Sequence, residues 1–101
     1  MPVSNDIPRL VSAAREAYLR KQEGRIRSVA TTVLAAGPDP IIRAALDAVI
    51  FAEDLHDIHD VTATYYHERG VGHKDRTHAR YAAIAMQLKL RALDQLAHLV
   101  V

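Results

Sequence analysis

Gly37-Pro38-Asp39-Pro40 is the stretch of this 101-residue chain that decides its fold, because it interrupts a sequence that otherwise has helical character. A glycine typically ends a helix, while aspartate followed by proline is typical of the first residues of the next one. A second break, Gly70-Val71-Gly72, is followed by Asp75, another capping residue type. The two breaks predict three long helices over about residues 6–36, 39–69 and 75–100.

No segment alternates apolar and polar residues, and no linker divides the chain. The sequence therefore predicts an all-α fold with a single domain, 1–101. Because the two connections are short, neighbouring helices should run antiparallel.

Composition limits the classes of function. There is no cysteine, no apolar run long enough for a membrane span and no secretory signal, so we expect a cytoplasmic protein without thiol chemistry. The net charge is only +1, but residues 1–43 and 69–101 are basic while residues 44–68 carry six acidic and no basic residues. The charges either compensate within one fold or leave a basic outer surface for nucleic acid.

The third helix has a wide apolar arc. Tyr81, Leu88 and Leu96 lie on one face of it, and Met86, Leu93 and Val100 widen that face. Such an arc exceeds what two partner helices cover, so we expect a homo-oligomer, most simply a dimeric bundle.

The second helix carries an ionisable stripe. Steps of three and four residues from Ile42 lead through Leu46 and Val49 to Glu53, His56 and Asp60, with Asp57 at the edge. We expect Glu53, His56 and Asp60 to point inward at a contact between helices. Phe51, Leu55, Ile58, Thr62 and Tyr65 form a second apolar row on roughly the opposite side.

Glu53 and His56 form a Glu-x-x-His pair, and Glu23 lies as far before Pro38 as Glu53 lies after it. This set resembles the ligands of ferritin-like carboxylate proteins, including small encapsulated ferritins that build their site across a dimer. The resemblance implies iron or another divalent transition metal, held by Glu53, His56 and Glu23 with Asp57 and Asp60 nearby, and a metal-dependent oxidase. The stripe of Val11, Tyr18, Ile26, Val29 and Val33, however, places Glu23 about 100° from the predicted inner face.

Other interpretations of the stripe stay open. Glu53, Asp57 and Asp60 could instead accept salt bridges from arginines such as Arg15, Arg20, Arg25 or Arg80. The doublets His56-Asp57 and His59-Asp60 look like the ligand doublet of HD-type phosphohydrolases. Five of the six histidines fall between residues 56 and 78, which also suits a response to pH.

The basic residues of the third helix suggest another class. Residues 75–97 resemble the oligomerisation helix of phage terminase small subunits, which implies a DNA-binding ring with Arg76, Arg80 and Arg91 as candidate contacts.

The function that we expect from the sequence is a small, non-enzymatic, self-associating assembly or interaction module that needs no cofactor. Its expected interaction residues are Tyr65, Tyr66, His67, Tyr81, Leu88 and Leu96, where aromatic side chains favour binding to a further protein partner. A metal-binding protein and a DNA-binding accessory protein are the alternatives.

Overall fold

The computed structural model of the chain describes residues 3–101, with side chains from residue 6 onward. It contains three α-helices, α1 (Val3–Ala36), α2 (Pro40–Glu68) and α3 (Gly72–Val100). No strand occurs within residues 3–101, so the predicted all-α fold with three helices is confirmed. The predicted domain, 1–101, extends two residues beyond the described part.

The first break in the sequence folds as predicted. Asp39 Oδ1 accepts hydrogen bonds from the backbone N–H groups of Ile41 at 3.0 Å and Ile42 at 3.2 Å. Pro40 then occupies the first position of α2, where its missing N–H costs nothing. These contacts fix the start of α2 within a residue of the prediction.

The second break ends α2 at a glycine, as expected, but α3 begins earlier than predicted. Gly70 has a φ of 72°, which favours a residue without a side chain. The Val71 carbonyl accepts hydrogen bonds from Lys74 and Asp75, so the helical bonding pattern already starts at Gly72. Asp75 therefore lies within the first turn of α3 rather than capping it, and α1 likewise extends back to Val3.

The short turn between α2 and α3 makes these helices an antiparallel hairpin, and α1 crosses one face of it. The molecule measures 50 × 42 × 19 Å. At 1.5 Å per residue, α1 is about 50 Å long and α2 about 43 Å, so two dimensions each match one helix length. The helices therefore form two thin layers, with α1 oblique to the hairpin.

The hydrophobic core lies at this crossing. It is built mainly from the following buried side chains of the three helices: Leu19, Ile26, Ala30, Ile42, Leu46, Val49, Leu90, Leu93 and Leu96. Nearer the turn, the buried apolar positions of the hairpin are Ala52, Ala63, Ala82 and Ala85, which lie outside that cluster. The buried residues there are therefore small, and no large core forms in that part of the hairpin.

The inner face of α1 differs from the one predicted. Val11 and Tyr18 are exposed, whereas Leu19 and Ala30 are buried with Ile26. Ile26 belongs both to the predicted stripe and to the buried one, and the helix is rotated so that Leu19 instead of Tyr18 meets the hairpin. Glu23 falls on this inner stripe, so the expectation that it lies about 100° away was wrong.

Within the described residues, no helix combines the length and the apolar character that crossing a bilayer requires.

Candidate functional site

Four charged side chains meet where α1 crosses the hairpin. Arg27 Nη1 lies 2.6 Å from Glu53 Oε2 and 3.7 Å from Glu23 Oε2. Lys89 Nζ lies 2.8 Å from Glu23 Oε1 and 3.9 Å from Glu53 Oε1. Each carboxylate thus contacts both cations, and all three helices contribute to what we call the charged cluster, Glu23, Arg27, Glu53 and Lys89.

Local helix geometry explains how the cluster forms. Glu23 and Arg27 are four residues apart on α1 and therefore project from the same side of that helix. The side chain of Lys89 is only 11% exposed, because its aliphatic stem is covered before its ammonium group reaches the carboxylates. Two negative and two positive groups balance in a partly covered position, which fixes how the three helices sit against one another.

The metal ligands predicted from the sequence are only partly brought together. Glu23 and Glu53 converge, as their equal distances from Pro38 predict, but Arg27 and Lys89 lie against both carboxylates. His56 Nδ1 lies 3.2 Å from Asp57 Oδ1 instead. Within the described residues, no three His, Asp or Glu side chains are grouped so that they could hold a metal.

The acidic end of the predicted stripe faces solvent. Asp57 and Asp60 are both exposed, so the inward orientation expected for Asp60 was wrong. Val49 is the last residue of α2 in the main core cluster, and beyond it the buried residues of α2 are the alanines Ala52 and Ala63. Asp60 lies past the crossing of α1, where the hairpin has no third helix to bury it.

The arginine partners also differ from those expected. Glu53 pairs with Arg27, which was not among the predicted partners. Arg15 instead bonds Asp94 on α3 through its Nε at 2.9 Å and through its Nη2. The salt-bridge interpretation therefore holds for Glu53 but with a different arginine.

A second cluster of side chains joins α2 to α3 near the turn. His59 Nδ1 lies 3.1 Å from His78 Nδ1, so one ring donates and the other accepts. Tyr66 stacks on His78 with a centroid distance of 5.7 Å, and Tyr81 packs at 5.2 Å from His59. We call His59, Tyr66, His78 and Tyr81 the aromatic cluster.

Sequence analysis missed the contact between His59 and His78. The signal was available, because His59 precedes Gly70 by eleven residues and His78 follows it by eight. Residues at such similar distances from a tight turn lie at similar heights in an antiparallel hairpin.

The predicted interaction residues divide into surface and core. Tyr65 and His67 are exposed at the turn end, Tyr66 is half-buried, and Tyr81 and Leu88 are exposed on α3. Leu96, in contrast, is fully buried within the chain, so the expectation that it contacts a partner was wrong. On the wide apolar face of α3, Leu93 and Leu96 are buried in the core, whereas Tyr81 and Leu88 are exposed at the surface.

The face of the hairpin away from α1 is apolar and exposed. Glu53 contacts α1, and at 100° per residue Phe51 and Leu55 lie about 160° from it. Leu88 lies about 160° from Leu90, which packs in the core with α1. This uncovered face comprises Ile41, Ala44, Ala48, Phe51, Leu55, Ile58, Tyr81, Ile84, Leu88 and Leu99, which are exposed except for the half-buried Leu55.

A groove marks one end of the uncovered face. It encloses about 630 Å³ between the start of α2 and the end of α3. Ala44 and Ala48 line one side, and the α3 residues Asp94, Gln95, His98 and Leu99 line the other. Small residues on the floor of a groove let another helix approach closely.

The arginines predicted to contact DNA are exposed on α3. Arg76, Arg80 and Arg91 lie within about 60° of one another by the helical step, but they spread over about 22 Å of helix. This is a sparse distribution of positive charge for a surface that follows a phosphate backbone.

The chain matches no protein-family model, no curated protein and no solved structure.

Proposed function

We propose that this chain is a self-associating helical module in which two copies pair through the uncovered faces of their α2–α3 hairpins. The observation that carries the proposal is the apolar row Ile41, Ala44, Ala48, Phe51, Leu55 and Ile58 along α2, which is exposed except for the half-buried Leu55. The pairing would convert two hairpins into a four-helix core, with each α1 on the outside.

The spacing of this row favours helix-to-helix packing. Its members are separated by alternating steps of three and four residues, the spacing of the a and d positions of a coiled coil. Thr62 and Tyr65 continue the alternation towards the turn. A row of this kind packs efficiently against another helix, whereas isolated apolar side chains on a surface need no partner.

The surface area of a single chain also supports a second copy. The accessible surface is 7105 Å², about 1,400 Å² more than the roughly 5,700 Å² of a compact protein of this mass. The radius of gyration is 16.7 Å, compared with about 13 Å for a compact domain of this length. A standard protein interface covers about 800 Å² per partner, so the excess is large enough for one.

The charge of the face is compatible with self-pairing. None of its ten apolar residues is acidic or basic, and the ionisable side chains at its end are Asp94 and His98, which line the groove. In a two-fold dimer each residue meets the same surface on the partner, so a charged face would bring like charges together. The neutral face avoids that repulsion, and Tyr65 and His67 at the turn end form the surface we expect a further protein partner to contact.

Sedimentation equilibrium tests the proposal. The wild-type chain should sediment with twice its monomer mass of 11.2 kDa. Leu88→Asp should reduce the measured mass to that of a single chain, because it places a carboxylate in the interface. Val11→Asp is the matched control, because Val11 is exposed on α1 away from the uncovered face. A wild-type monomer at tens of micromolar, or a dimer that only Val11→Asp dissociates, would contradict the pairing.

A further inference from the structure

We propose that His59 and His78 form a two-histidine site for a divalent transition metal. The bound metal would link α2 to α3 near the turn. The site is distinct from the carboxylates of the charged cluster, and both of its imidazoles come from one chain, although Tyr81, which packs against the two rings, also belongs to the uncovered face. It uses one imidazole from each helix of the hairpin.

The geometry of the two rings carries this inference. Their centroids are 5.3 Å apart and their Nδ1 atoms only 3.1 Å apart, so the two nitrogens are the facing edges of the rings. Zinc–nitrogen bonds are about 2.0–2.1 Å long, so two nitrogens on one metal are separated by about 2.9 Å at a right angle and about 3.4 Å at a tetrahedral angle. The observed distance falls between these values.

The present contact is a hydrogen bond, and for a metal to bind both Nδ1 atoms the donor ring would carry its proton on Nε2 instead. One Nδ1 donates to the other, which requires that the two nitrogens share a single proton. A small rotation of each ring would direct both lone pairs to a common point on the accessible side. Tyr66 and Tyr81 pack against the rings and keep both near that arrangement.

The donor set indicates the class of metal. Neutral imidazoles suit Zn²⁺, Cu²⁺ and Ni²⁺ rather than Mg²⁺ or Ca²⁺. Because the described residues contain no group of three possible ligands, the other coordination positions would be filled by water. The binding should therefore be exchangeable rather than permanent.

The bound metal would link α2 to α3 in the part of the hairpin where the buried side chains are smallest. Near the turn the buried positions are alanines, and the larger contacts between α2 and α3 there are those of the partly exposed aromatic cluster. A ligand that binds the closed hairpin and not the opened one stabilises the closed form. Metal binding should thus raise the thermal midpoint of unfolding and protect amides near the turn from exchange.

Titration of the full chain with Zn²⁺, followed through the histidine ring nitrogens by NMR, tests the proposal. The Nδ1 resonances of His59 and His78 should shift together and saturate with one equivalent bound. His59→Gln and His78→Gln, which retain a hydrogen-bonding side chain, should each weaken binding about a hundredfold, because a second linked donor contributes through its high effective concentration. His73→Gln, exposed at the same end, should leave the affinity unchanged.

Two results would overturn the site. One is the absence of joint shifts at His59 and His78 at millimolar Zn²⁺ in the wild-type chain, a measurement that needs no variant to fold. The other is equal Zn²⁺ affinity in the wild type and in both glutamine variants.

Discussion

Arg27 on α1 donates to Glu53 on α2 across 2.6 Å, and this ion pair lies at the point where α1 crosses the hairpin. Lys89 on α3 closes the arrangement by contacting both Glu23 and Glu53. The crossing is therefore specified by charge as well as by apolar packing, because a rotation of any one helix would separate an ion from its partners.

Removing the lysine charge from the cluster should destabilise the fold. Lys89→Met keeps the covered stem but leaves two carboxylates with one cation, and we expect a loss of about 1 to 2 kcal/mol in the free energy of unfolding. Urea denaturation at fixed protein concentration measures it. Arg43→Met removes a pair with Asp47 that is exposed on both sides and should cost less than about 0.5 kcal/mol. Equal losses in the two variants would show that the cluster contributes no more than a surface ion pair.

The carboxylates of the cluster should not bind iron, because Arg27 and Lys89 already lie against both of them. Elemental analysis of protein purified without chelator should give the same iron content for the wild type and Glu53→Ala. One equivalent of iron per chain that disappears in Glu53→Ala would support the ferritin-like alternative instead.

The middle of the hairpin should be intolerant of larger side chains. Ala85 is fully buried near the middle of α3, so Ala85→Leu should overpack its surroundings and cost about 1 to 3 kcal/mol. Ala83→Leu is the control, because residue 83 is exposed on the same helix. Thermal unfolding followed by circular dichroism compares the two. If both variants melt together with the wild type, close packing of alanines does not hold the hairpin.

The cap at Asp39 should contribute measurably to stability. Asp39→Ala removes the acceptor for two N–H groups at the start of α2 and should cost about 1 kcal/mol, whereas Asp39→Ser should recover most of it. Urea denaturation of both variants gives the difference. An alanine variant as stable as the serine variant would mean that Pro40 alone defines the start of the helix.

The helices were predictable from sequence because their ends depend on local chemistry. The residues that end or begin these helices act on the backbone within a few positions, as Asp39, Pro40 and Gly70 do. In the structure the breaks between helices lie at these residues. The start of α3 was less predictable, since backbone hydrogen bonds to Val71 can begin a helix without a capping side chain.

The orientation of α1 could not be derived from its own sequence. Its apolar residues surround much of the helix, so the predicted stripe through Tyr18 and the buried one through Leu19 share Ile26. The choice depends on α3, whose Lys89 needs a carboxylate and whose Leu90 and Leu93 accept Leu19 and Ala30 in one core. The convergence of Glu23 and Glu53 was predictable from their equal distances from Pro38. Their contacts with Arg27 and Lys89 depend on the packing of all three helices and could not be derived from spacing along the chain.

Isotope-filtered NMR on a mixture of labelled and unlabelled chains tests the pairing of the uncovered faces most directly. The account predicts contacts between the methyl groups of Ile58, Ile84 or Leu88 in one chain and the same face of the other. Contacts between chains that arise only from Val11 or other residues of α1, or no contacts between chains at all, would contradict it.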